Sequence, residues 1–393
     1  VPFDPPVLNP RLAATSLAVP APPIPACRAW AARYDGRRGA VLDLTQAVPG
    51  YPPHPGMLAR VAAAAADPAL AGYGPLEGEA ALREAYAEEV GRLYGGDVTA
   101  GDVRVSAGAN MGFSLAMSAI AAPGDAMVLP APWFFNHQMA LALRGVRPVP
   151  LACRAEDGFL PDAGAAARLL RESGARALVL VTPNNPTGAA IPPALLDRLA
   201  EACRAAGAWL VLDETYRDFG PGDGPVHGLF ARPDWRDFVV QLYSFSKAYC
   251  IPGHRMGAVV AGPALRDEFV KAVDNIQLCP PRPPQAALAW AVPELRAWRA
   301  ENAAAMRARG AVFRRAIGRA PGWRIEAEGA YFAWTRVPDD GPDGMAVAER
   351  LAVEAGLVTL PGAFFGPGGE RHLRLAYANA PEHALRELPE RLA

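Results

Sequence analysis

The chain is expected to fold as an α/β protein, with a large domain built on a mostly parallel sheet and a smaller α+β domain after it. Two observations predict this. From about Gly101 to Ala261, short apolar and β-branched runs alternate with helical stretches. Strands that are apolar throughout, instead of alternating polar and apolar, belong to parallel sheets covered on both faces. After Pro284 the pattern changes to a long helical stretch followed by strand-like segments. A length of 393 residues allows two to three domain-sized units.

Taken in order, Val1–Pro25 reads as an extended arm, because its prolines disfavour helix and sheet interior alike. Ala26–Tyr34 is expected as a short helix, and the alanine run Ala62–Ala66 as part of another. Strands are expected at Val103–Ser106, Ala126–Leu129, Ala177–Val181, Trp209–Asp213 and Val239–Ser244. Helices are expected at Met111–Ala121, Pro161–Glu172 and Pro192–Ala206, and one long helix at about Ala286–Ile317. Trp323–Thr335 and His372–Ala376 look like strands, with helical Gly344–Ala355 between them. The domain reading is residues 1–44 as an arm and part of the small domain, 45–284 as the large domain, and 285–393 as the small domain.

Composition narrows the function. The 39 basic and 40 acidic side chains leave a net charge of -1, so no basic excess supports a nucleic-acid partner. No apolar run is long enough to span a bilayer, and the Pro-rich start lacks the basic and apolar regions of a secretory signal. The five cysteines Cys27, Cys153, Cys203, Cys250 and Cys279 show neither a CxxC pair nor metal-ligand spacing. They read as reduced thiols of a cytoplasmic protein that binds no metal.

Four segments carry chemistry, and each falls where a strand ends. In α/β sheets, ligands bind at the carboxyl ends of the strands. Ser106-Ala-Gly-Ala-Asn-Met-Gly112 opens a helix with small residues, and a helix N-terminus offers free N–H groups to a phosphate. Val181-Thr-Pro-Asn-Asn-Pro-Thr-Gly188 makes a rigid turn that places Asn185 as an amide donor. Ala208-Trp-Leu-Val-Leu-Asp-Glu-Thr-Tyr216 delivers Asp213 at a strand end, with Tyr216 one turn on. A carboxylate there suits a protonated pyridine nitrogen. In Tyr243-Ser-Phe-Ser-Lys-Ala-Tyr-Cys-Ile-Pro-Gly-His-Arg-Met-Gly257, Lys247 stands in a loop between Ser244 and Arg255. A desolvated lysine can form a Schiff base, and a hydroxyl and a guanidinium can hold a phosphate. Alone, Lys247 would fit a solvated surface lysine. Its register with the other three segments sets it apart.

With these motifs, from roughly Asp43 to Tyr377, the chain resembles the fold-type I pyridoxal-phosphate enzymes, specifically the class I and II aminotransferases. The resemblance implies an aspartate-aminotransferase-like fold, with a three-layer large domain and a small α+β domain. It implies pyridoxal 5'-phosphate as cofactor, with Lys247 as Schiff-base lysine and proton shuttle. Asp213 is implied as the pyridinium partner, and Tyr216 and Asn185 as hydrogen-bond partners of the ring oxygen. The phosphate cup is expected from Gly108, Ala109, Asn110, Ser244 and Arg255. Trp133 is expected to stack on the ring, and Tyr73 to reach the phosphate of a second subunit in a homodimer. Arg374 is expected to clamp the substrate carboxylate, which a planar guanidinium fits. Asn185 and Trp133 would also border the substrate.

Two positions depart from the family pattern. Ala47 stands where a glycine commonly lines the substrate site, and Arg282 where a serine or threonine approaches the partner's phosphate. Arg282 would meet that phosphate, an acidic substrate group, or only the interface. The expected reaction moves an amino group between an L-amino acid and a 2-oxo acid by a ping-pong mechanism. A lyase or oxygen-using relative would share the same contacts. A cofactor-binding regulator would need a DNA-reading module, for which the Pro-rich arm has neither room nor charge. The aromatic residues Trp133, Phe134, Phe135 and Phe364 leave side-chain specificity open, because such residues equally build a core.

Overall fold

The computed structural model describes residues 11–222 and 226–393. Its strands are β1 (Leu42–Asp43), β2 (Val103–Ser106), β3 (Ala126–Ala131), β4 (Arg147–Ala152), β5 (Ala177–Val181), β6 (Trp209–Asp213), β7 (Val239–Ser244) and β8 (Gly257–Ala261), then β9 (Arg324–Gly329), β10 (Phe332–Arg336), β11 (Leu357–Val358), β12 (Leu360–Pro361) and β13 (His372–Ala376). Seven of them form the large sheet in the order β2-β8-β7-β6-β5-β3-β4. All neighbours in it are parallel except β8, which runs against both β2 and β7. A second sheet, β12-β13-β10-β9, is antiparallel. This is a large α/β domain with a smaller α+β domain, the architecture expected from the sequence.

The apolar runs of the central strands explain the sheet. Leu178, Leu180, Leu210, Leu212 and Leu242 have no exposure, and burial of each contributes roughly 1.5–3 kcal/mol. Helix Pro193–Ala206 covers one face with Leu195, Leu196, Leu199, Ala200 and Cys203, a stripe at helical spacing. It stops at Gly207, whose left-handed φ of 63° closes the helix. The small sheet packs on Phe313, Ile317 and Leu351, and Leu42 and Leu44 join that core because β1 pairs in parallel with β11.

Several expectations need correction. The arm is not extended throughout. Residues 1–10 lie outside the described residues, and helices form at Ala14–Leu17 and Pro23–Ala31. Proline is well placed in a first helical turn, where its missing N–H has no partner to lose. The single long helix is two, Arg282–Glu294 and Arg296–Ile317, broken at Leu295 just after Pro293. The first of them packs in the core of the large sheet through Ala287, Leu288, Ala291 and Val292, beyond the expected boundary at 284–285. The expected strand Trp323–Thr335 is a hairpin turning at Ala330, a non-glycine residue with φ of 48°. Edge strand β4 carries Pro148 and Pro150, positions an edge tolerates.

One close approach joins the two sheets' territories. Gly188, at φ 76° in the turn after β5, lies against Gly329 at the end of β9, and an added Cβ would overlap the Gly329 backbone nitrogen. Gly188→Ala is expected to destabilise the protein by about 1–3 kcal/mol. A urea titration followed by fluorescence checks this, and an unchanged midpoint would show that the contact gives way freely.

Candidate active site

Asp213 and Ser244 are the last residues of β6 and β7, and Asn185 follows β5 in its turn. Helix Ala109–Ile120 begins three residues after β2. These ends converge on a cleft of about 640 Å³, within the range of small-molecule sites. Ala47, Ala109, Asn110, Asn185, Asp213, Tyr216, Ser244, Lys247, Arg255 and Arg374 all line it.

Lys247 is not in a loop. It sits in a one-turn helix, Phe245–Ala248, that Ser244 caps by accepting from the Ser246 N–H at 3.3 Å. The Lys247 Nζ donates to the Ala47 carbonyl at 2.7 Å. Burial, then the positive charges of Arg374 and Arg255, bring its amine down to about 8 against the pull of Asp213.

Asp213 is 3% exposed. Its carboxylate accepts from the Thr215 N–H at 2.9 Å, and His137 Nε2 lies 3.1 Å away. Burial pushes the carboxyl up, but His137 and Thr215 outweigh it and hold the group below its usual range. The pair is braced from behind. Glu214 has no exposure and accepts from the Tyr94 hydroxyl at 2.6 Å and the Gln241 amide at 2.5 Å, with His227 Nε2 at 3.2 Å.

Arg374 comes from β13 of the small sheet. Its Nη1 donates to Asn185 Oδ1 at 2.8 Å and its Nη2 to the Thr45 carbonyl, while its buried Nε has no partner. Burial brings its guanidinium down to about 10. With Oδ1 taken by Arg374, Asn185 keeps its NH2 free to donate. Burial also pushes the Tyr216 hydroxyl up, so it stays protonated and able to donate.

The phosphate-suited end fits an anion. Gly108, at φ 87°, is packed so tightly against Arg255 that an added Cβ would overlap Arg255 Nη2. Gly257 likewise leaves no room for a Cβ, which would fall 2.7 Å from the Ala109 nitrogen. The Ser246 hydroxyl is buried, lines the cleft and has no partner. A cationic guanidinium, helix N–H groups and an orphaned hydroxyl together form a cradle of donors that fits a phosphate. Among the described residues, no cluster of three or more His, Cys, Asp or Glu could hold a metal.

One sequence expectation falls elsewhere, and two others concern a second subunit. Trp133 does not line the cleft, and Phe134 does. The Trp133 backbone N–H is held by the Phe365 carbonyl at 2.8 Å, and its indole packs on Gly366. Tyr73 is 83% exposed and outside this chain's cleft. Arg282 is also outside it. Arg282 donates to Glu79 at 2.6 Å and to the Ala69 carbonyl at 2.9 Å, and so braces the segment that carries Tyr73. The sequence did not single out His137 or Ser246, and it named Phe134 only among the aromatics of a possible side-chain pocket. Ser246 had a signal, as a second hydroxyl beside Lys247. His137 had none, since only the fold brings it to Asp213.

The comparisons agree with this geometry. Residues 40–392 match the family model described as aminotransferase class I and II, and the chain belongs to that family. It is 30% identical to an aromatic aminotransferase of Arabidopsis thaliana, over 89% of this chain and 88% of that protein. It is 33% identical to an arginine–pyruvate transaminase of Pseudomonas aeruginosa, over 85% and 86%. The solved aspartate aminotransferase of Thermus thermophilus with maleate superposes with a TM-score of 0.89 at 26% identity, covering 98% of this chain and 99% of that one.

The lowered Lys247 value has a measurable consequence. In cofactor-free protein, condensation of Lys247 with an added aldehyde is expected to rise with pH through a midpoint near 8 and to level off above it. Absorbance kinetics over a pH series test this, and a midpoint above about 10 would mean an ordinary lysine.

Proposed function

We propose that this protein is a pyridoxal-phosphate-dependent transaminase that moves an amino group between an L-amino acid and a 2-oxo acid in two half-reactions. The observation that carries the reading is Lys247, a half-buried lysine whose amine is brought down to about 8 in one cleft with Asp213 and Arg374. The family match supports it. The relatives' names point to different amino acids, aromatic, arginine and aspartate, so the substrate pair does not follow from them.

In this reading the Ala109 and Asn110 N–H groups, Ser244, Ser246 and Arg255 hold the cofactor phosphate. Lys247 Nζ provides the covalent attachment. Asp213, backed by His137, would hold the ring nitrogen and favour its protonated form. Tyr216 and the free amide of Asn185 would donate to the ring oxygen, and Phe134, which lines the cleft where Trp133 does not, would border the ring. When bound, the cofactor supplies an aldehyde carbon for the amino group and a cationic ring that draws electron density from the substrate Cα. Arg374 binds the substrate carboxylate and orients Cα. Lys247 Nζ, as a free neutral amine, would take the substrate Cα proton and hold it for return. A residue with a value near 8 is well matched to that base role at neutral pH.

Tyr73 supports a homodimer in which its hydroxyl serves the partner's phosphate, because its ring is exposed while its segment is braced by Arg282. The five cysteines are all free, which fits a reducing, cytoplasmic setting. No helix among the described residues is long and apolar enough to cross a membrane.

The test is product analysis with an amino donor. Transamination converts the donor to its 2-oxo acid in an amount equal to the enzyme until an acceptor acid is added. Ammonia or peroxide released over many turnovers without acceptor would favour a lyase or an oxygen-using relative. Lys247→Ala is expected to lower turnover by about 10²- to 10⁴-fold. Full turnover by that variant would contradict the reading.

A further inference from the structure

The short turn that carries Lys247 is held from outside itself. The Tyr51 hydroxyl shares its one proton between the carbonyls of Lys247 and Ala248, at 3.2 and 3.1 Å. Those carbonyls end the one-turn helix Phe245–Ala248 and have no further helical turn to pair with. In return, the Cys250 thiol donates to the Tyr51 carbonyl, and the Cys250 N–H donates to the Lys247 carbonyl at 3.2 Å. Cys250 has a left-handed φ of 55°, which a non-glycine residue keeps only where its surroundings fix it. Four residues before Tyr51, the Ala47 carbonyl accepts from Lys247 Nζ at 2.7 Å. Segment 47–51 thus grips the lysine at both ends, its tip through Ala47 and its backbone through Tyr51.

The two grips differ in what the chemistry asks of them. Resting on the reading above, Nζ must leave the Ala47 carbonyl whenever it bonds the cofactor carbon or turns to the substrate. The Tyr51 bonds go to backbone and need not break. The Tyr51 ring is itself fixed, edge-on against Trp298 of helix Arg296–Ile317, with 5.5 Å between ring centroids. Burial pushes its hydroxyl up, so it stays protonated and able to donate. Every bond of this clasp lies within one chain, so none needs a second copy.

We infer that Tyr51 is a positioning residue: its hydroxyl holds the Lys247 turn in place, so that Nζ stays sheltered in the cleft and comes back to the same point after each use. Arg374, Arg255, Asp213 and Cys250 act on Nζ by charge, but burial is the largest influence on the amine and lowers it. A loosened turn admits water and lets the amine rise again. Phenylalanine at position 51 keeps the ring and loses only the hydroxyl.

The test uses cofactor-free protein and trace acetic anhydride over a pH series, with acetylation read at the Lys247 peptide by mass spectrometry. The chain's other lysine, Lys271, is exposed and reports the reagent in the same samples. In Tyr51→Phe the Lys247 midpoint is expected to rise from about 8 by about 0.5 or more, so that the rate at pH 7 falls about 3-fold while the high-pH plateau is kept. Tyr377→Phe removes another buried hydroxyl, one that donates to the Ala330 carbonyl at 3.2 Å, and is expected to leave the Lys247 midpoint in place. An unmoved midpoint in Tyr51→Phe overturns the inference. So does a rate lowered equally at every pH, which marks a merely structural role, or an equal rise in Tyr377→Phe. A failure of the transaminase reading looks different: the unsubstituted protein would itself show a midpoint above about 10, and the inference would fall with it.

Discussion

The buried guanidinium of Arg374 ties the site together. It belongs to the small sheet, yet it bonds Asn185 in the turn after β5 and the Thr45 carbonyl beside β1. A charge this deeply buried is costly unless its donors are paired. Two of its nitrogens are paired and Nε is not, which leaves a directed donor in an otherwise dehydrated place. The same charge acts at a distance. With burial it lowers the Lys247 amine, so under the proposed reading the group that would anchor a substrate carboxylate would also prepare the base. Taking the Asn185 oxygen leaves that residue's amide as a donor. One side chain thus links the two domains, sets one donor and helps to tune another.

Asp213 balances this. It is a buried anion, stabilised by Thr215 and His137, and seated on the end of a strand whose preceding residues, Trp209–Leu212, are apolar. Its position depends on register. A one-residue slip in β6 would turn the carboxylate to the other face of the sheet. The Glu214 network behind it, with Tyr94, Gln241 and His227, engages the next residue and so opposes such a slip.

Much of this was legible in the sequence because it follows from strand ends. Apolar runs marked β5, β6 and β7, and Asn185, Asp213 and Lys247 stand in or just after them. What was not legible depends on tertiary contacts. Trp133 and Phe134 are adjacent aromatics, and only the Phe365 and Gly366 contacts draw the tryptophan away from the cleft. Ser244 and Ser246 are alike in sequence, but one hydroxyl caps the short helix and the other is left without a partner. His137 has no local motif at all. Proline density at Pro22–Pro25 suggested an extended arm, whereas Pro23 opens a helix whose first turn lines the cleft. The hairpin turn beside Ala330 had one signal, Gly329, but a single glycine within an otherwise strand-like run does not by itself mark a reversal.

The central claim is that Lys247 Nζ moves the Cα proton of an amino donor. It is tested most directly by proton NMR of an L-amino acid in deuterated water with the holoenzyme. Wild-type enzyme is expected to exchange the Cα proton for deuterium, and Lys247→Ala supplied with the same cofactor is expected to leave it in place. Undiminished exchange in that variant would contradict the account, because another group would then be the base.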